Sequence, residues 1–146
     1  MLARVERAVA TQPCWRERIR VTGYVLLEFL REDERVTHLS VIETRRVGGR
    51  PEQLLTEAIE RLVDLLDEGR AELPDPESLS RATAQALGAR IFELICIAVE
   101  QDRLTQGEDM IRLLIYEAVR PYLGPDAAAQ ELNLPPPPGK VGLGSA

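Results

Sequence analysis

The sequence predicts an all-α fold, an orthogonal and antiparallel bundle of about six helices. Three observations predict it. Apolar residues recur at spacings of three and four in nearly every segment between breakers, the period of one helix face. Hydrophobic residues make up 45% of the chain and aromatics only 4%, which points to an aliphatic core of Leu, Ala, Val and Ile. No segment shows the strict alternation of a half-buried strand. At 146 residues the chain fits one domain that buries roughly 70% of its unfolded surface.

The elements follow in order. Residues 2–10 form a short helix, broken by Thr11, Gln12 and Pro13, because proline cannot continue the hydrogen-bond ladder. A second helix runs from about Cys14 to Arg31, with Trp15, Ile19, Thr22, Leu26 and Phe29 on one face. Glu32, Asp33 and Glu34 suit the start of a third helix marked by Val36, Leu39 and Ile42 and stopped by Gly48 and Gly49. Pro51 opens a fourth at the position proline tolerates best, with the stripe Leu55, Ile59, Leu62 and Leu66. Gly69, Pro74 and Pro76 close it. A fifth spans about residues 77–103, and its middle, ALGARIFELICIAV, is apolar nearly all round. A sixth spans about residues 108–123. The domain occupies residues 1–132, and the Pro/Gly-rich residues 133–146 read as an extended or disordered tail.

Charge and thiols narrow the function classes. The net charge is −6, which gives no overall footprint for nucleic acid. Residues 1–20 carry five arginines against Glu6 and Glu17, so the basic charge gathers at the N-terminal end. Cys14 and Cys96 read as two idle thiols. The start, MLARVERAVA, lacks the apolar core of a signal peptide, and Arg90 and Glu93 interrupt the longest apolar run. The expectation is a cytoplasmic protein with no membrane span.

No catalytic constellation emerges. His38 is the only histidine, and no Cys-x-x-Cys, His-x-x-x-His or Glu-x-x-His pattern is present, so neither a metal nor a cofactor is expected. Gly48-Gly49 is a helix stop, not a phosphate-binding loop. Two features point to binding. Trp15, Thr22, Phe29, Thr83 and Arg90 set polar or aromatic groups among apolar stripes, the composition of a small-molecule pocket. An Arg90 ion pair with Glu93 or Glu43 is the structural alternative. The helix over 77–103 also offers two apolar faces. Thr83, Leu87, Ile91, Leu94 and Ala98 suit one neighbour, and Ala82, Ala86, Ala89, Phe92, Cys96 and Val99 need a second. A partner subunit, with an interface on the order of 2,000 Å² or more, supplies that cover.

Three stretches resemble the C-terminal region of the tetracycline-repressor (TetR/AcrR-type) family of transcriptional regulators. They are residues 13–20 (PCWRERIR) with 26–30 (LLEFL), residues 62–70 (LVDLLDEGR), and residues 114–128 (LIYEAVRPYLGPDAA). The resemblance implies a TetR C-terminal-domain-like bundle over about residues 1–132. It implies a small apolar or amphipathic effector, for which Trp15, Thr22, Leu26, Phe29, Leu62, Leu66, Thr83, Leu87 and Arg90 are the candidate ligand-binding residues. It implies a homodimer through the last two helices, with Phe92, Ile95, Cys96, Val99, Ile111, Leu114, Ile115, Ala118, Val119 and Tyr122 as the candidate interface. The family reads DNA through an N-terminal helix-turn-helix that nothing here matches, so the expected function is ligand sensing and dimerisation without DNA contact. The alternative is a helical protein-interaction module that pairs with itself or with a full-length regulator.

Overall fold

The computed structural model describes residues 2–33, 37, 50–104 and 107–137. These form five α-helices: α1 (Leu2–Ala10), α2 (Trp15–Glu32), α3 (Arg50–Asp67), α4 (Arg81–Glu100) and α5 (Gly107–Asn133). No strand occurs among the described residues. Two 3₁₀ turns, Glu68–Glu72 and Pro76–Ser78, lead from α3 to α4. Local chemistry sets the breaks. In the second turn Pro76 takes the first position and the Asp75 carboxylate accepts from the Glu77 amide at 3.1 Å. Glu108 and Asp109 sit in the first turn of α5, where negative charge meets the positive end of the helix dipole. Gly124 interrupts α5 at φ +81° and ψ 172°, between Pro121 and Pro125.

Packing follows two pairings. α2 lies between α1 and α5, while α3 pairs with α4. α2 and α5 run antiparallel, and Gly23 makes their close approach possible. A Cβ there would stand 3.0 Å from Ile111 Cγ2 and 3.4 Å from Ile115 Cδ1. Gly88 plays the same part between α4 and α3, where a Cβ would come within 2.8 Å of Val63 Cγ2. The largest fully enclosed side chains are Trp15, Leu66, Cys96, Ile111, Val119 and Glu131. Each buried aliphatic group contributes roughly 1.5–3 kcal/mol through water release. Glu131 is a different case, because a carboxylate at the core must be paired.

Several expectations change. The inward side of α2 is not Trp15, Ile19, Thr22, Leu26 and Phe29. Trp15 and Ile19 are buried, but beyond them Val21, Tyr24, Leu27 and Leu30 turn inward, and Phe29 is 36% exposed. The inward face lies about one residue, roughly 100°, further round the helix. It carries arginines: Arg16 and Arg20 reach Glu131, and Arg31 Nε donates to the Leu104 carbonyl at 2.9 Å. An apolar stripe skips those positions. α5 also runs to Asn133, some ten residues past its expected end, because the helical path resumes after Gly124. α4 starts at Arg81, with the residues before it forming the short 3₁₀ turn. The helix expected around Val36, Leu39 and Ile42, its glycine stop, His38 and Glu43 lie outside the described residues.

The candidate dimer residues need the largest correction. Ile95, Cys96, Val99, Ile111, Leu114, Ile115, Ala118, Val119 and Tyr122 are all buried within the single chain. Only Phe92 keeps part of its surface open. Their apolar character is satisfied by the chain's own helices, with α2 covering the broad face of α5. They therefore form core, and no second subunit is needed to cover them.

The close approach of Gly69 to the Trp15 ring gives a prediction. A Cβ on Gly69 would stand 2.5 Å from Trp15 Cζ2 and 2.8 Å from Cε2. The Trp15 ring is pinned on its other sides and cannot yield. Gly69→Ala is expected to destabilise the fold by about 1–3 kcal/mol, the usual range for overpacking. Urea denaturation followed by Trp15 fluorescence measures it, and an unchanged midpoint contradicts the packing described.

Candidate functional site

Two neighbouring regions carry the polar chemistry of the molecule. The first is the aromatic end of the core. Trp15 opens α2, and its indole Nε1 donates to the Leu65 carbonyl at 2.7 Å. Its ring meets Tyr122 of α5 edge to face, with centroids 5.0 Å apart and planes at 71°. Leu66 is fully enclosed. Beside them stands an ionic cluster at the end of α3. Arg70 Nε lies 2.9 Å from Asp67 Oδ1, and Arg81 reaches Asp64 at 2.5 Å and Asp67 at 3.5 Å.

The Tyr122 hydroxyl is buried and has no hydrogen-bond partner. Burial pushes its pKa up to about 12 from the ordinary 10.0. The negative charge of Asp67 adds to the rise, and Arg70 opposes it.

The second region is the outer side of α4. Ser80, Ala82, Thr83, Ala86, Leu87 and Arg90 line a depression of about 490 Å³ that stands wide open to solvent. Ala82, Ala86 and Ala89 are exposed along this side, and Leu87, Phe92, Leu94 and Ile97 are half-buried. Arg90 Nη1 lies 3.5 Å from Glu117 Oε2 of α5. The depression thus has an apolar floor and a cation at its rim. Ser80 and Thr83 are the hydroxyl-bearing residues of its lining.

The candidate ligand residues divide accordingly. The structure brings Thr83, Leu87 and Arg90 together around the depression. Trp15 and Leu66 fill the core instead of lining a cavity, and Leu26 and Leu62 pack half-buried against it. The Thr22 hydroxyl is buried without a partner, while Phe29 faces outward. Ser80 was missed, and Ala82 and Ala86, expected on the face that needs a second neighbour, line the depression as well. Arg16, Arg20 and Glu131 were missed because nothing in a sequence links groups more than a hundred residues apart.

Cys14 and Cys96 are both free, the first exposed and the second buried. Among the described residues no three His, Cys, Asp or Glu side chains converge as metal ligands. One described helix, α4, is long and apolar enough to cross a bilayer, by length and composition only. No family model, curated protein or solved structure matches the chain.

The Tyr122 environment fixes a pH dependence. Its folded pKa is raised, so its contribution is fully present below pH 10 and is lost as pH rises towards about 12. Stability is expected to fall over that window, with a tyrosinate absorbance step near its upper end. Tyr122→Phe should remove the step and leave stability at neutral pH equal or slightly higher, since the lost hydroxyl had no partner. Thermal melts across the window, with absorbance at the tyrosinate band, check both points.

Proposed function

We propose that this chain is the ligand-sensing and dimerising domain of a transcriptional regulator of the tetracycline-repressor type, acting in the cytoplasm. The observation that carries the reading is the outer side of α4. A twenty-residue helix, apolar nearly all round, is covered by its own chain on one side and leaves Ala82, Ala86 and Ala89 open on the other. A helix of that character is made to be covered on both sides. The three stretches that resemble the family fall on α2, on the end of α3 and on α5 through its kink, and these are the elements that build the core.

In this reading the partner is a second copy. Arg81 and Arg90 lie in the first half of α4, and Glu93 and Glu100 in the second. An antiparallel copy therefore brings unlike charges together, and small side chains of one half face Phe92, Leu94 and Ile97 of the other. The effector is a small apolar or amphipathic molecule held at the Thr83, Leu87 and Arg90 depression, which a partner subunit would roof. Binding there shifts the population between two dimer arrangements and so the spacing of DNA-reading heads carried outside these residues.

One observation favours the second reading, a helical protein-interaction module without an effector. Trp15 and Leu66, expected to line a pocket, are sealed in the core. The two readings share the dimer and part at the ligand.

Sedimentation at micromolar concentration is expected to give twice the 16.3 kDa chain mass. Ala86→Glu, a change at an exposed position, should yield a folded monomer with little change in melting temperature. A wild-type monomer refutes the proposal. In a thermal-shift screen of apolar compounds, a ligand at ~100 times its dissociation constant should add about 2.7 kcal/mol, and Arg90→Ala should weaken it. A dimer with no hit selects the interaction module. Neither result should be accompanied by sequence-specific DNA binding, because the net charge is −6.

A further inference from the structure

The end of α5 is fastened differently from the rest of the bundle. Before Gly124 the helix is held by apolar burial, with Ile111, Leu114, Ile115, Ala118, Val119 and Tyr122 all inward. Gly124 itself stands at φ +81° and ψ 172°, a conformation that only glycine adopts without strain. Nothing lies within 4 Å of where its Cβ would be, so a side chain added there meets strain from φ alone and no clash. After it, from residue 125 to Asn133, Ala128 is the one buried apolar side chain. Ala129, Gln130, Leu132 and Asn133 are exposed.

What seats these residues is polar. The Glu131 side chain is 0% exposed and lies 2.7 Å from Arg16 Nη2 and 2.8 Å from Arg20 Nε. Arg16 also donates to the Ala127 carbonyl at 3.2 Å and to Gln130 Oε1 at 3.3 Å. Arg112 Nη1 donates to the Leu132 carbonyl at 3.1 Å. Arg16 and Arg20 stand one turn apart on α2 and repel each other unless a carboxylate lies between them. They keep 27% and 18% of their side-chain surface in water even when seated, so their rehydration is easy.

We propose that residues 125–133 form a detachable latch, a helical segment that seats by placing the Glu131 carboxylate in the Arg16–Arg20 socket and releases as a unit about Gly124. The remainder of the bundle stays folded, because its burial does not pass through the joint. Release converts a neutralised contact into an exposed pair of cations, Arg16 and Arg20, at the start of α2. The latch stands apart from the regulator reading and does not require a dimer or an effector.

Amide hydrogen exchange on the full chain tests it, with wild type, Glu131→Gln and Gly124→Ala compared. In the wild type, the amides of residues 129–133 should exchange through an opening that leaves residues 115–122 protected. Glu131→Gln should lower protection of 129–133 by about 10–100-fold, the worth of a charged hydrogen bond, with 115–122 changed by less than about 3-fold. Gly124→Ala should produce the same pattern with every charge intact, because alanine is strained at that φ and release relieves it. Protection lost equally over both stretches, or unchanged in both variants, overturns the latch. If one variant fails to fold, the other decides. If neither folds, the segment is integral to the core and the proposal is wrong.

Discussion

A carboxylate with no solvent contact sits at the junction of the first long helix and the last. Moving Glu131 from water to this position costs several kcal/mol, which only close pairing offsets. Arg16 and Arg20 provide it, and the hydrogen bond to Glu131 in turn holds the Arg20 guanidinium above its ordinary value against the opposing effect of burial. This pairing constrains much else. The side of α2 that faces α5 carries Arg16 and Arg20, so its aliphatic residues share that face with charge. The end of α5 must lie beside the start of α2, and a continuous helix would not bring it there while Tyr122 meets Trp15. The break at Gly124 reconciles the two contacts.

The helical class and most element positions were legible in the sequence because they rest on local chemistry: Pro13, Pro51 and Gly69 mark boundaries, and three-to-four spacing marks α3, α4 and α5. The orientation of α2 was not legible. Its inward face holds Arg16, Arg20 and Arg31, and hydrophobic periodicity treats arginine as outward by default. The interface assignment failed for a related reason. Periodicity reports that Ile111, Leu114 and Ile115 need cover and is silent on whether α2 or a second chain gives it. Of the site, Thr83, Leu87 and Arg90 were legible as mixed residues on one helix, a local pattern. Their separation from Trp15 and Leu66 depends on how α3 and α4 pair, which no local pattern contains.

The core leaves little space for a ligand at its aromatic end. Trp15 is held by its indole hydrogen bond, by Tyr122 and by the absence of a side chain on Gly69, so its ring occupies the space a pocket would need. The buried hydroxyls of Thr22, Tyr24 and Tyr122 lack hydrogen-bond partners. The open side of α4 is the surface on which the proposed reading rests.

In the proposed reading that surface meets protein and not lipid. α4 has the length and composition to cross a bilayer. Yet Arg90 and Glu93 lie near its middle, where each charged residue costs about 2.5–3.5 kcal/mol in lipid. Arg90 instead lies 3.5 Å from Glu117, on the neighbouring helix α5. Small residues line the open side, which lets another helix approach closely, whereas lipid chains gain nothing from such a groove. The charges change sign along the helix, from Arg81 and Arg90 to Glu93 and Glu100, and that order is self-complementary only when the approaching helix runs the opposite way. A second copy related by a two-fold axis meets this condition without any other adjustment of the sequence.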